Sequence, residues 1–469
     1  MSETAQLTSI KDLPSPKGKI ILGNLPEFKT ENKHLVLEEW AKECGDLYKI
    51  SLAGKIFVVS AKPDLNAEIL KLRPKEFRRF GKIDEIFTEL GITGVFNAEG
   101  ERWKRHRKIT SEALNAQNVK SFYPTILEKT DILLSKFSTY AEAKEKVAVQ
   151  SEMMAYTVDI TTKIAFGYQM NSIENVADNF QEHLERIFPM INQRITAPLP
   201  LWRIVKSKES KALDHSLSEI KKLIYTFIDE AKSRLDNSES LKANPSNFLE
   251  AILVESERET FSKEEIYGNV FTMLLAGEDT TSNSISWAIY YLAQHPEIVK
   301  RIRDEAKEVY GDTDLPQEYS SFAKLKFSNA VAQEAIRIKP TTPQLYMQAN
   351  EDVIVGQLSV PKATIVVLQS KIAQNSDDYF TNALTFNPDR WMRGKCPVDH
   401  KHSPKVVKAF GGGPRYCPGM NLAMHEMTVL ISALCKRFDF ELAVKAEDVK
   451  DKFAFTMHPD NLWVKFKIA

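Results

Sequence analysis

Residues 410–419 have the sequence Phe-Gly-Gly-Gly-Pro-Arg-Tyr-Cys-Pro-Gly, which places Cys417 in a glycine-rich turn just before a helical pattern. The glycines remove side-chain bulk, so a flat ligand has room to lie against the backbone near the sulfur. Backbone N–H groups at a helix N-terminus favour negative charge, and we therefore expect a depressed pKa for the Cys417 thiol. No second cysteine or histidine stands at zinc-finger spacing in this stretch. The pattern predicts a thiolate presented to one coordination position of a metal, and the alternative is a buried structural cysteine.

The spacing Phe-x-x-Gly-x-Arg-x-Cys-x-Gly resembles the haem-ligand loop of the cytochromes P450, with every specified position filled. The resemblance implies that Cys417 is the axial thiolate of haem b and that Arg415 contacts a haem propionate. It also implies that Phe410 lies beside the sulfur and that Gly411 and Gly419 border the cofactor. Thiolate ligation in this family favours O–O cleavage.

The composition excludes several classes of protein. The chain has 469 residues with 63 basic and 63 acidic side chains, which gives no support for a nucleic-acid partner. Four irregularly spaced cysteines favour a reducing compartment over a disulfide framework. The polar start lacks a signal-peptide core, and no run reaches the ~18 apolar residues of a membrane span. We expect a cytoplasmic monomer without a transmembrane anchor.

Helical patterns dominate the chain, and short strand patterns occur in two regions. Two strand pairs are predicted, at Tyr48–Leu52 with Lys55–Ser60 and at Val353–Val355 with Thr364–Leu368. The resemblance implies a mainly α protein with the cytochrome P450 fold, a large helical domain with small β-sheets. We expect one haem domain over residues 1–469, whose small β-rich part, at roughly 45–65 and 350–370, packs on the helical part.

The longest helix is predicted between a capping box at Ser262–Glu265 and a stop at His295-Pro296. About thirty residues at 1.5 Å each span on the order of 45 Å, enough to cross a domain of this size. An apolar middle leads into Ala276-Gly-Glu-Asp-Thr-Thr281, which resembles the family's oxygen-activation motif.

This motif carries the predicted proton chemistry. Asp279 and Thr280 form an acid–alcohol pair suited to delivering protons to dioxygen, with Glu278 beside them as a third candidate. Ala276 and Gly277 are expected to border the haem, since Gly277 permits close approach of a ligand and a local kink. The alternative is a threonine that bonds back within the helix and an aspartate paired to a distant base.

A third motif, Glu334-Ala-Ile-Arg337, matches the family's core-locking pattern Glu-x-x-Arg-x-x-Pro. The run Phe386-Asn-Pro-Asp-Arg-Trp391 matches the loop that contributes a second arginine, which makes Arg390 the candidate partner. The resemblance implies a buried Glu–Arg–Arg network around the haem. We predict a structural role for these residues, because such networks fix one packed arrangement.

Trp103-Lys-Arg-His-Arg107 matches the helix whose Trp and Arg contact a haem propionate in this family. The resemblance also implies that this face docks an acidic electron donor, and Lys405 and Lys408 extend the basic patch. The alternative for the basic stretch is an ordinary solvated face.

One position departs from the family pattern. Many members place an Arg or His about seven residues after the core-locking proline to bind a propionate, whereas this chain has Met347 and Gln348. We therefore expect propionate binding to depend more on Trp103, Arg107 and Arg415.

The substrate pocket is expected where apolar segments converge on the distal side of the haem. The candidates are Phe80, Ile83, Phe87, Leu275, Thr342, Leu345 and Phe455. Their apolar and aromatic character favours a lipid-like substrate such as a fatty acid or a terpenoid. For each of them the alternative is ordinary core packing.

The sequence thus predicts a haem-thiolate monooxygenase that inserts one oxygen atom from dioxygen into an apolar substrate. No P-loop or Rossmann fingerprint is present, so electrons are expected from a separate ferredoxin, flavodoxin or diflavin reductase. Two alternatives remain: a peroxygenase or dioxygen-independent isomerase or dehydratase, and a non-catalytic haem-thiolate sensor. The acid–alcohol pair argues against both.

Overall fold

The computed structural model describes residues 7–28, 30, 32–174, 179–197, 199–258, 261–392, 394 and 401–469. Helices make up more than half of the chain, which confirms the mainly α prediction. In chain order they are α1 (Leu25–Phe28), α2 (Lys33–Cys44), α3 (Pro63–Lys71), α4 (Gly81–Glu89), α5 (Gly100–Ala113), α6 (Ala116–Ala143), α7 (Val149–Phe166), α8 (Asn179–Glu185), α9 (Ile187–Thr196), α10 (Lys208–Asp236), α11 (Glu239–Ala243), α12 (Phe248–Arg258), α13 (Lys263–Leu292), α14 (Pro296–Tyr310), α15 (Lys326–Ile338), α16 (Ser370–Gln374) and α17 (Met420–Arg437).

The strands within these described ranges are short and form small sheets. They are β1 (Thr8–Ser9), β2 (Leu47–Leu52), β3 (Lys55–Ser60), β4 (Phe77–Arg79), β5 (Lys146–Ala148), β6 (Gln344–Ala349), β7 (Val353–Val355), β8 (Leu358–Val360), β9 (Ile365–Gln369), β10 (Phe438–Leu442), β11 (Lys450–Ala454), β12 (Thr456–Asp460) and β13 (Trp463–Ile468). The largest sheet has the order β2-β3-β9-β6-β4, and β11 and β12 form a separate hairpin.

The structure confirms the first predicted strand pair and corrects the second. β2 and β3 form the expected antiparallel hairpin. β7 pairs with β8, however, whereas β9 runs parallel to β3 and antiparallel to β6. The reason is burial: every residue of β9 is buried, as expected of a central strand with both faces covered, while β7 is partly exposed.

The long central helix is confirmed. The Ser262 hydroxyl accepts from the backbone N–H of Glu265, whose carboxylate accepts from the N–H of Ser262, so the predicted capping box is formed. α13 packs along α7 and also contacts α15, α17 and β12. In the part of the chain that the structure describes, no helix is both long and apolar enough to cross a membrane.

A buried carboxylate joins α15 to the loop that follows α16. Glu334 accepts hydrogen bonds from Arg337 at 2.8 Å and from Arg390 at 3.2 Å. The indole N–H of Trp391 donates to the same carboxylate at 2.9 Å, and the backbone N–H of Asn387 does so at 3.0 Å. All three charged groups are fully or almost fully buried. Arg337 belongs to α15 itself, whereas the other three donors come from the loop, so the carboxylate fixes the loop against α15.

We expect Glu334→Ala to lower the free energy of unfolding by about 3–5 kcal/mol, since it leaves two buried guanidinium groups without their carboxylate. Urea unfolding followed by circular dichroism measures this change. The control is Glu308→Ala on α14, where the side chain is exposed and a change within about 0.5 kcal/mol is expected. Equal effects of the two substitutions would contradict a role for Glu334 in holding the loop.

Candidate active site

A cavity of about 1720 Å³ lies between the middle of α13, the 410–419 turn and the hairpin of β11 and β12. Ligand pockets usually measure roughly 300–1,000 Å³, so this cavity has room for a large flat cofactor together with a substrate. Of the cysteines in the described ranges, only Cys417 lines it. Cys396 lies outside the described residues.

The 410–419 turn is held in a conformation that requires glycine. The backbone N–H of Cys417 donates to the carbonyl of Phe410 at 2.9 Å, which closes the turn. Gly413 has a φ of 63°, and a Cβ there would lie 2.1 Å from the carbonyl oxygen of Leu70. The turn therefore sits directly against the end of α3. Phe410, Gly411 and Gly419 line the cavity with Cys417, as the sequence predicts.

The prediction of a low pKa for the Cys417 thiol is wrong, because the side chain is buried. Burial raises the pKa of the thiol, and this effect outweighs the backbone N–H groups of Gly419 and Met420 and the guanidinium of Arg107, which lower it. A helix N-terminus alone is therefore too weak to ionise this sulfur. A buried thiolate here needs a cation directly opposite it, which is what a metal ion supplies.

The predicted arginines and tryptophan lie together at one edge of the cavity. The Arg415 guanidinium lies 5.1 Å from the ring centre of Trp103 and donates to the carbonyl of Ala98 at 2.7 Å. Arg107, one turn after Trp103 on α5, donates to the carbonyl of Tyr416 at 2.6 Å. These residues join α5 to the cysteine turn.

Two further arginines, which the sequence analysis missed, also line this edge. Arg73 and Arg79 border the cavity, and Arg79 stands directly opposite Met347 in the β4–β6 ladder. The neighbouring strand thus carries an arginine at the register position of Met347. Only the strand register reveals this pairing, because β4 and β6 are far apart in the sequence.

The arginine cluster has more positive charge than its protein partners neutralise. Glu99 accepts from the backbone N–H of Arg79 at 3.0 Å and lies 2.5 Å from Arg415 and 3.9 Å from Arg73. Three guanidinium groups around one carboxylate leave two positive charges. Asp84 is nearby but lies 3.8 Å from Arg102. Burial lowers the pKa of Arg73 to about 9 and also lowers the pKa values of Arg79 and Arg415.

The residues present therefore fit haem b. Within the described residues, Nε and Nη2 of Arg73 and Nε of Arg79 are buried without a hydrogen-bond partner. Two carboxylates at this edge would satisfy these donors and balance the two excess charges. The sulfur of Cys417 lines the same cavity and suits one axial position of an iron ion.

The acid–alcohol motif faces the same cavity from α13. Thr280 donates to the carbonyl of Ala276 at 2.8 Å, the back-bonded arrangement that loosens a helix. Asp279 accepts from the hydroxyl of Thr456, so its partner is a hydroxyl and not a distant base. Burial raises the pKa of Asp279 to about 6 and that of Glu278 further, with the charge of Asp279 adding to the latter.

Gly277 also lies at a close contact between two helices. It borders the cavity, but α13 continues as helix through it, and a Cβ would lie 2.9 Å from the hydroxyl of Thr161. Its missing side chain therefore allows α13 to approach α7 closely. This packing adds a second reason for glycine at the position, and the predicted approach of the cofactor to Gly277 stays a prediction.

The apolar wall contains most of the predicted pocket residues. Those that line the cavity are Phe80, Ile83, Ala276, Thr342, Leu345 and Phe455. Phe87 and Leu275 do not line it. Phe87 is buried behind the wall with its ring centre 5.1 Å from that of Phe96, and Leu275 lies on the face of α13 that packs into the core. A run of apolar residues on a buried helix gives no sign of which face meets the cavity.

Glu426 is a further cavity residue that the sequence analysis missed. It lies on α17, nine residues after Cys417, and borders the same cavity as the α13 acids. Its Oε2 atom is buried, and no described residue forms a hydrogen bond with it. Burial raises the pKa of Glu426 to about 8. A carboxyl group in this environment holds its proton at neutral pH.

Comparisons with known proteins agree with this site. The family model "Cytochrome P450" matches residues 13–466. "Protein LUTEIN DEFICIENT 5, chloroplastic" of Arabidopsis thaliana is 26% identical, over 95% of this chain and 76% of that protein. "Bifunctional cytochrome P450/NADPH--P450 reductase 2" of Bacillus subtilis is 27% identical, over 97% of this chain and 42% of that protein. Human "Cytochrome P450 4V2" is 24% identical, over 97% of this chain and 86% of that protein.

The raised pKa of Glu426 predicts a pH-dependent effect of Glu426→Gln. The folded protein keeps the proton up to about pH 8, whereas an unfolded glutamate loses it near pH 4.3. Wild-type stability therefore falls as the pH rises through this window. Because glutamine does not ionise, the variant should gain stability relative to wild type as the pH rises, with the full difference above pH ~8.

Urea midpoints across the pH range measure this difference in the haem-loaded proteins. Glu308→Gln is the control, and its difference from wild type should stay flat because that side chain is exposed. A flat difference for Glu426→Gln would show that the carboxyl is ionised in the folded protein.

Proposed function

The chain belongs to the cytochrome P450 family, whose members bind haem b through a cysteine thiolate, and we propose that Cys417 supplies that thiolate. The protein is a monooxygenase. We propose that it inserts one oxygen atom from dioxygen into an apolar substrate. One observation carries this proposal: Cys417 and the pair Asp279–Thr280 line the same cavity from opposite elements.

When bound, haem b supplies the redox chemistry that activates dioxygen. The residues of this chain hold the cofactor and move protons. Arg73, Arg79 and Arg415 would bind the two propionates, and the 410–419 turn would hold the sulfur of Cys417 toward the iron. The hydroxyl of Thr280, on the cavity side of α13, would hold a proton that Asp279 replenishes.

The apolar substrate is proposed to lie against an aromatic cluster formed by Phe96, Phe188 and Phe455. The rings of Phe188 and Phe455 stack with their centres 5.2 Å apart, and Phe96 lies 6.1 Å from Phe455. Such a wall binds apolar surface with few directional constraints. A lipid-like molecule such as a fatty acid or a terpenoid fits this chemistry, because the groups that touch it there offer no hydrogen bonds.

Electrons are proposed to come from a separate acidic protein that docks beside the cysteine turn. Lys405 is exposed. Burial lowers the pKa of Lys408, and the nearby charge of Lys71 lowers it further, so Lys71 and Lys408 lie close together near the turn. The basic side chains of α5 contribute less free positive charge to this docking surface than the sequence suggests, because two of them are paired with carboxylates. Arg105 lies 3.6 Å from Glu265, and Lys108 lies 3.6 Å from Glu255.

The absorbance spectrum of the reduced protein with carbon monoxide tests the axial ligand. We expect the strongly red-shifted Soret band of a haem thiolate, and we expect Cys417→Ser to lose it. Cys44→Ser is the matched control, because Cys44 does not line the cavity, and it should keep the band. A red-shifted band in Cys417→Ser would exclude Cys417 as the ligand.

We expect Thr280→Ala to bind haem and substrate normally but to release hydrogen peroxide in place of product. Positioned proton transfer contributes on the order of 10²–10⁴-fold, so product per NADPH should fall by roughly tenfold or more. The measurement uses a surrogate reductase and dodecanoic acid as test substrate. Thr162→Ala is the control, because Thr162 is a buried threonine on α7 that bonds back to Val158 and does not line the cavity. Unchanged coupling in Thr280→Ala would remove Thr280 from the proton pathway.

A further inference from the structure

The hairpin of β11 and β12 reverses direction at one residue that reaches into the cavity. Ala454 and Thr456 are paired in the ladder, so Phe455 alone forms the turn. Its φ is 79°, a region that residues other than glycine rarely occupy. The Phe455 ring stacks on Phe188 with an interplanar angle of 9° and lies 5.8 Å from Phe87. The turn is therefore held by contacts of the ring and not by backbone preference.

The next residue along the chain bonds the catalytic acid. The hydroxyl of Thr456 donates to Oδ2 of Asp279 and accepts from the amide of Asn283 at 3.1 Å. The carbonyl of Asn283 accepts in turn from the side chain of Gln150. Thr456 and Asn283 are buried. The acid is thus fixed by a chain of neutral hydrogen bonds that begins at the hairpin.

The hairpin is anchored on the far side of Thr456. The backbone N–H of Met457 donates to the carbonyl of Thr341 at 2.8 Å, which ties β12 to the segment that precedes β6. Phe455 and Thr456 both line the cavity, and the Phe455 ring packs on Phe188, another residue of the cavity wall. A displacement of the Phe455 ring therefore moves the backbone between Phe455 and the anchored Met457, and Thr456 moves with it.

We propose that Thr456 is a positioning residue for Asp279 and that Phe455 makes the position of this acid depend on what fills the cavity. The proposal rests on the assigned role of Asp279 in proton delivery. A bulky occupant that moves the Phe455 ring shifts the Thr456 hydroxyl, and Asp279 then gains or loses its hydrogen bond. Proton delivery is thereby linked to substrate binding.

The charges around Asp279 support this arrangement. The neighbouring charged groups are acidic: Glu278 is next to Asp279 on the same helix, and Glu185 on α8 acts in turn on Glu278, raising its pKa. In the described ranges no cation forms an ion pair with Asp279. The bonds from Thr456 and Asn283 lower its pKa, against the larger effect of burial, which raises it. Without a cation to hold it, the carboxyl takes the orientation that these two hydrogen bonds set.

Infrared spectroscopy of the haem-loaded protein tests the proposal below the pKa of Asp279, where the carboxyl C=O stretch reports its hydrogen bonding. Asp279→Asn assigns the band. Imidazole and clotrimazole are the two probes: both bind haem iron, which absorbance verifies, but only clotrimazole is large enough to reach Phe455. We expect clotrimazole to shift the band and imidazole to leave it unchanged.

Variants separate the two parts of the proposal. Thr456→Val should shift the band without any probe and should move its titration to higher pH, because the bond that lowers the pKa is lost. Thr456→Ser should restore the wild-type band. In Phe455→Ala, which also removes the ring contacts that hold the turn, the band measured with clotrimazole should be the same as the band measured without it. Thr162→Val, a buried threonine away from the cavity, should behave as wild type.

Two results would overturn the proposal. A wild-type band in Thr456→Val would show that this hydroxyl does not position the acid, and a full clotrimazole response in Phe455→Ala would remove Phe455 from the link. The comparison of Thr456→Val with Thr456→Ser requires neither turnover nor haem. Failure of the proposed function would instead appear as no binding of haem or of either azole.

Discussion

The rest of the structure depends on an electrostatic constraint: the buried arginine cluster beside the cysteine turn carries two positive charges that its protein partners do not balance. Arg73 and Arg79 are far from Arg415 in the sequence, and among the described carboxylates Glu99 contacts all three residues. Burying guanidinium groups without enough anions is costly. The folded protein therefore gains stability from a dianionic ligand at this edge, and the haem is part of the structure as well as the source of reactivity.

The sequence revealed the site residues whose spacing is local. The cysteine turn, the capped helix α13 and the Glu334–Arg337 pair are each encoded within a few neighbouring positions. It could not reveal features that depend on strand register or on which face of a helix is buried. Arg79 stands opposite Met347, the position that lacks a base, only because β4 pairs with β6. Likewise, the hydrogen bond from Thr456 to Asp279 joins residues far apart in the chain.

Two helices, α13 and α17, place carboxyl groups at the cavity, and the surroundings of these carboxyl groups differ. Asp279 accepts hydrogen bonds and ionises more readily than Glu426, which no described residue bonds at Oε2. Groups with such different pKa values do not exchange roles easily. The difference favours α13 as the side on which protons move, whereas Glu426 stays neutral near physiological pH.

The pairing of β3 with β9 has a consequence for how the protein is made. These strands are about 300 residues apart, and the cavity wall takes residues from Leu25 to Trp463. A nascent chain on the ribosome has therefore not yet exposed Cys417 when its first 400 residues have emerged. Capture of the cofactor must follow synthesis of nearly the entire polypeptide. Until then the apolar surfaces around α13 are incompletely covered, a condition in which a chain is prone to aggregate.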